Sequence, residues 1–191
     1  MPGSLIDVSA AHGLAQWLGF GRILERWTQT EHSHGDASVA QLRSAVDEYR
    51  LKRNNLWLRY FLALFAAALL KVGALDEGLT IVTGALEEAD EDGGHFWDAE
   101  FHRLRGELLL ARDPSDASRA EAAFQRALVI AADQKAKSWE LRTTVSLSRQ
   151  WRRHGKREEA GRLLRGIHDW FTESFDTQDL RDAKTLLDEL A

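Results

Sequence analysis

Cysteine is absent from the 191 residues, and proline occurs only twice. Without a thiol the chain holds no disulfide, no cysteine–zinc cluster and no thiolate nucleophile. That composition, with no basic-then-apolar signal at the N-terminus, leads to the expectation of a cytoplasmic protein. Long apolar runs are missing too. The most apolar one, YFLALFAAALL at residues 60–70, is far shorter than the roughly 20 residues a membrane-crossing helix needs. Nor does one sign of charge dominate: 25 Lys and Arg face 30 Asp and Glu, a net charge of −5. Such a balance gives no general attraction to nucleic acid or to an anionic membrane, so neither is expected as a partner.

What the chain does contain is helix-forming. Hydrophobic residues make up 44% and charged residues 29%, and Ala, Leu, Glu and Arg dominate while β-branched runs are scarce. The composition is that of a globular chain.

A repeat of about forty residues organises it. Trp17, Trp57, Trp97 and Trp139 are separated by 40, 40 and 42 residues. A second ladder follows in phase, formed by the small–aliphatic pairs Ala45-Val46, Ala85-Leu86, Ala127-Leu128 and Gly166-Ile167. Leu42, Val82, Phe124 and Leu163 stand three residues before each small member. Breakers lie between the ladders: Gly35-Asp36, Gly73, Asp113-Pro114 and Gly155. Each unit therefore reads as helix, turn, helix. First helices are expected over 15–32, 56–72, 95–111 and 138–154, and second helices over 37–52, 76–91, 116–133 and 157–173. In the third unit Ala120, Ala123, Phe124, Ala127, Leu128 and Ala131 recur at steps of 3 and 4 along one helix face.

The expected organisation is one all-α domain over 1–191. Repeats occupy 14–54, 55–93, 94–136 and 137–174, preceded by part of a helix in 1–13 and closed by a capping helix in 175–191. Ile6 stands 11 residues before Trp17, as Val46, Leu86 and Leu128 stand before the later tryptophans. The chain is thus expected to begin inside a repeat, as a piece or remnant of a longer array. Asp176-Thr177-Gln178-Asp179 is expected to start the last helix, with Leu180, Ala183, Leu186, Leu187 and Leu190 along one side to cover the final repeat.

Ala120-Phe124-Ala127, with Gly106 near the small position of the preceding helix, resembles the tetratricopeptide repeat pattern. Gly78-Val82-Ala85 and Ser38-Leu42-Ala45 match it more loosely. The units exceed the family's usual 34 residues, and its closing proline is missing. The segments AEFHRLRGELLLA (99–111), AEAAFQRAL (120–128) and SFDTQDLRDAKTLLDEL (174–190) are similar to the C-terminal repeat region of large bacterial regulators. Those proteins join a class III adenylate/guanylate cyclase or DNA-binding domain to a signalling-type ATPase and a tetratricopeptide tail. The chain has no G-x-x-x-x-G-K-[ST] phosphate loop, so the resemblance carries no enzymatic activity onto it. It implies a right-handed α-solenoid of about four hairpins serving as a non-catalytic interaction scaffold, probing a protein or peptide partner and requiring no cofactor.

In that family first helices line the concave groove. Carried over by phase from each Trp, the groove comprises Phe20, Ile23 and Trp27, then Tyr60, then Glu100, Arg103 and Glu107, then Arg142, Arg149 and Arg152. Packing of Phe20, Ile23 and Trp27 against a neighbouring helix is the alternative. Self-association through the N-terminal edge, giving a homodimer, is a second functional reading. A metal or small-molecule site at His95, Glu100 and His102 is the third. Two histidines seven residues apart on a helix lie about 10 Å apart along its axis, too far for one Zn²⁺. His95, Asp98 and His102 are therefore expected to form a polar flank. Glu100-Arg103-Glu107 is expected to pair within its helix. Glu31-His32-Ser33-His34 reads as a helix end, where the dipole favours histidine.

Overall fold

The computed structural model describes residues 5–32, 35–51, 57–173 and 177–191, and every regular element among them is helical. Ten α-helices follow one another: α1 (Leu5–Ala11), α2 (Ala15–His32), α3 (Asp36–Leu51), α4 (Leu58–Val72), α5 (Leu75–Asp92), α6 (Asp98–Arg112), α7 (Ala117–Asp133), α8 (Lys137–Arg153), α9 (Arg157–His168) and α10 (Gln178–Leu190). Single 3-10 turns at His95–Trp97 and Pro114–Asp116 lead into α6 and α7. No described helix is long and apolar enough to cross a membrane. The expected repeat boundary at 54/55, Ser33 and His34, and Asp176 lie outside the described residues.

The chain forms two compact units, Met1–Glu87 and Glu88–Ala191. In the first, α1 packs on α2, α2 on α3 and α3 on α4, and α2 also touches α4. In the second, α6 packs on α7, α7 on α8, α8 on α9 and α9 on α10, and α8 also touches α6 and α10. Within each unit α2 and α4, α6 and α8, and α8 and α10 are thus neighbours as well as the consecutive helices just named.

The turns are set by backbone chemistry. At the end of α4, Gly73 takes φ 78° and its N–H meets the carbonyls of Leu69 and Leu70, a left-handed C-cap that costs a glycine no Cβ strain. Gly155 repeats this after α8 at φ 79°. At the α7–α8 turn the left-handed residue is Lys135, at φ 56°. Asp113 accepts a hydrogen bond from the Ser115 N–H at 2.8 Å, and Pro114 sits at the first position of the 3-10 turn, where no N–H is needed.

Each tryptophan of the ladder lies near a helix start. Trp17 and Trp139 are the third residues of α2 and α8, and Trp57 and Trp97 immediately precede α4 and α6. The second ladder is one residue out of frame in the last repeat. Leu42, Val82, Phe124 and Leu164 are the fully buried positions, and Leu163 is only half-buried. Gly166 is exposed with nothing within 4 Å of where a Cβ would stand, so no helix approaches it; Ile167 makes the contact instead. In this frame Ser38, Gly78, Ala120 and Ala160, four residues earlier, are all buried small residues.

The closest helix approach is at Gly106. A Cβ there would lie 2.4 Å from the Cε1 of Phe124, so the ring of α7 rests directly on the backbone of α6. Helix α9 ends at His168, five residues earlier than expected. The N–H groups of Asp169, Trp170 and Phe171 fold back onto Arg165, Ile167 and His168, and Phe171 joins the core from this turn. That core gathers Leu141, Val145, Ala160, Leu164 and Ile167 around Leu180, Ala183, Leu186 and Leu190 of α10, so α10 covers the last hairpin.

Candidate interaction faces

In the first unit, the positions inferred for a groove divide into core and surface. Ile23 is fully buried and belongs to the core. Phe20 is half-buried within an aromatic group: its ring lies 5.8 Å from Trp57, 5.1 Å from Phe61 and 6.5 Å from Tyr60, stacked with the last. Tyr60 in turn lies 5.5 Å from Phe61. These rings tie α2 to α4 through edge and stacked contacts, each worth about 0.5–1.5 kcal/mol beyond area burial. Trp27 is half-buried, and its indole N–H is enclosed without a hydrogen-bond partner among the described residues. Lys71 of α4 pairs with Glu31 of α2, forty residues earlier.

In the second unit, Glu100 and Arg103 form a two-point pair of 2.8 and 2.7 Å between adjacent turns of α6. Both side chains are largely enclosed. Burial pushes the Glu100 carboxyl upward, but Arg103 and then Arg142 outweigh it and hold the carboxyl below the usual glutamate range. Burial likewise acts to lower Arg103, and Glu100 more than reverses that, so the guanidinium stays charged. The pair extends in both directions. Arg103 reaches Glu107 at 3.8 Å, Arg142 of α8 reaches Glu100 at 3.7 Å, and Arg142 also holds Asp179 of α10 at 2.8 Å. A chain of five alternating charges therefore runs from α6 across α8 to α10.

The other two expected arginines behave as Arg142 does. Arg149 lies 3.6 Å from Asp182, and Arg152 pairs with Glu189. All three arginines of the α8 face are thus engaged by acids of α10. Their partners ascend in the same order as the arginines themselves, so α10 runs parallel to α8. It stands where the first helix of a further hairpin would stand. The pairs are partly exposed, and such bridges contribute about 0–1 kcal/mol each.

The histidine flank is not a convergent site. His95 belongs to the 3-10 turn, where its Nδ1 lies 2.8 Å from Oδ2 of Asp98. His102 sits one helical turn further along α6, half-buried, and burial lowers its pKa from the ordinary histidine value. Among the described residues no three His, Cys, Asp or Glu side chains come together as metal ligands.

Other features of this unit were not legible from spacing. Helix α8 is polar in sequence, yet Thr143, Thr144, Ser146, Ser148 and Gln150 are buried. Gln150 Nε2 donates to the carbonyl of Ala117 at 2.6 Å, Ser148 Oγ to that of Ala160 at 3.2 Å, and Trp151 Nε1 to Glu121 at 2.9 Å. An aromatic edge also stands out: Phe96, 67% exposed, has its ring 5.4 Å from Trp97 and 5.2 Å from Trp139. An open concavity of about 350 Å³ lies beside it, lined by Phe96 and residues 134–139. Another of about 470 Å³ is bordered by Ser138, Leu141, Trp170 and Phe171. In the first unit the pair that spacing did not reveal is Arg43–Glu77, at 2.9 and 2.6 Å, which joins α3 to α5.

The fold and these faces define the class: an all-α protein whose successive helices pack as neighbours, with charged and aromatic contacts linking alternate helices within each unit. No family model, curated protein or solved structure matches the chain.

Proposed function

We propose that the chain is a non-catalytic scaffold for protein–protein contact, built as a right-handed solenoid of tetratricopeptide-like hairpins and working in the cytoplasm. The observation that carries this reading is the equivalence of alternate helices. Trp17, Trp57, Trp97 and Trp139 mark the starts of α2, α4, α6 and α8, and ion pairs join α2 to α4, α6 to α8 and α8 to α10. Within each unit, helices joined in this way share a face on which a peptide or helix can lie, with the charges fixing its orientation. The resemblance to the repeat tails of cyclase–ATPase regulators supports a regulatory setting, in which partner binding is relayed to catalytic domains.

Crosslinking of the purified chain in a cell extract tests the scaffold. A specific protein partner is expected, and its capture should fall when the half-exposed Tyr60 and Glu107 are replaced by Ala and Lys. No captured protein with a correctly folded chain refutes the reading.

Self-association is the second reading, favoured by the N-terminal edge. Leu5, Val8, Leu14 and Trp17 are each 45–46% exposed on α1, α2 and the turn between them. Light scattering showing a monomer at tens of micromolar removes it.

A further inference from the structure

We propose that α10 is a resident, exchangeable ligand of the α8–α9 surface, and that this surface takes an acidic amphipathic helix from a partner protein in its place. The inference rests on the scaffold reading and names the partner's chemistry.

The occupant already in place shows what the surface accepts. Leu180, Ala183, Leu186 and Leu190 form one apolar stripe, seated on Leu141 and Val145 of α8 and on Ala160, Leu164 and Ile167 of α9. Beside the stripe, Asp179, Asp182 and Glu189 meet Arg142, Arg149 and Arg152 in order. Arg157 adds a bond of 2.6 Å to the carbonyl of Glu189, near the C-terminal end of α10. The recognition elements are therefore a leucine stripe and a row of acids, read by a helix face and three arginines. This is the helix-in-groove mode with charge-set register.

Its attachment is of the kind that opens locally. Among the described helices of the unit, α10 touches α8 and α9 alone, whereas α8 touches four. The Arg149–Asp182 side chains are 45% and 41% exposed, so solvent and salt screen the pair in either state. Elements with few partners and exposed ion pairs occupy the low-stability end of a fold. A partner helix carrying the same stripe and acids satisfies every group that α10 leaves behind. A free helix must compete with a tethered one, so occupancy depends on how well α10 holds its own place.

The test uses a labelled peptide of residues 177–191 with the full chain, read by fluorescence anisotropy. Leu186→Asp weakens α10 in place, and the peptide should bind this variant at least tenfold more tightly than the unaltered chain. Adding Arg149→Glu and Arg152→Glu should remove that gain, and a peptide carrying Asp182→Arg and Glu189→Arg should restore it. Equal binding to variant and unaltered chains, or equal binding by a scrambled peptide, overturns the proposal. If Leu186→Asp lowers the helical circular dichroism by more than the share of α10, hydrogen exchange on the unaltered chain decides. Amides of α10 exchanging at least tenfold faster than those of α8 and α9 support the proposal, and equal protection overturns it. A fixed α10 with intact partner capture sinks this inference alone. An exchangeable α10 in a chain that captures no protein sinks the scaffold reading and the partner helix with it.

Discussion

On an isolated helix, replacing Gly106 by Ala should stabilise by about 1 kcal/mol, because alanine loses less backbone freedom. Inside α6 the sign should reverse. The new Cβ would stand 2.4, 2.7 and 2.8 Å from three ring carbons of Phe124, where ordinary carbon contacts are about 3.5–4.0 Å. Phe124 cannot yield easily, since it is fully buried with Ala120 and Ala127 on the same face of α7. Overpacking of this kind costs about 1–3 kcal/mol, and an overlap with a rigid ring belongs at the upper end. Offset by the helix gain, the expected loss is about 2 kcal/mol, or roughly 4–8 °C in Tm for a chain of this length. Urea unfolding followed by circular dichroism measures it. The decisive arm is Phe124→Leu combined with Gly106→Ala: the smaller side chain makes room for the Cβ, so the double variant should be more stable than the sum of the single losses by about 1–2 kcal/mol. Unchanged or raised stability for Gly106→Ala, or strict additivity, refutes the packing argument.

Three further outcomes follow from the same packing and pairing. The depressed Glu100 carboxyl stabilises the fold fully above the ordinary glutamate pKa of about 4.3 and loses that contribution as pH falls through its lower folded value. The stability gap between the parent and Glu100→Gln should therefore be widest near neutrality and shrink as pH is lowered below about 4, as measured by urea midpoints across pH; a constant gap counts against the pairing. Lys135→Gly should stabilise by about 0.5 kcal/mol, because relief of a left-handed backbone slightly exceeds the added freedom of the unfolded chain, and thermal unfolding showing a loss contradicts that. Leu164→Ala should cost about 2–5 kcal/mol and Leu163→Ala about 1 kcal/mol or less; the reverse order in denaturant titrations would restore the original frame of the ladder.

The sequence made the helices legible because tryptophan, small residues and glycine recur with a period longer than any local accident. The boundaries of α2 followed from that periodicity, and the leucine stripe of α10 from the helical spacing of Leu180, Ala183, Leu186 and Leu190. The frame of the last repeat did not. Leu163-Gly166 and Leu164-Ile167 fit a helical step equally well, and only the neighbour's position selects the second. The charged face was half legible. Glu100, Arg103 and Glu107 could be paired within one helix by spacing alone. That Arg142, Arg149 and Arg152 meet Asp179, Asp182 and Glu189 depends on the direction in which α10 returns, which no local pattern encodes. Buried hydroxyls in α8 were invisible for a related reason: Ser148 and Gln150 look like surface residues until two neighbouring backbones supply their acceptors.

Helix α8 lies against α6, α7, α9 and α10. Arrays of repeats commonly melt from their ends, each layer peeling away at its own free energy. Here the second unit is pinned at its hub, and removing α8 would strip hydrogen-bond donors, ion partners and core from its neighbours at once. Only the terminal helix can leave without taking α8 with it. The remaining helices of this unit should consequently melt together in one sharp transition, which keeps partly unfolded forms, the targets of proteases and stray association, scarce.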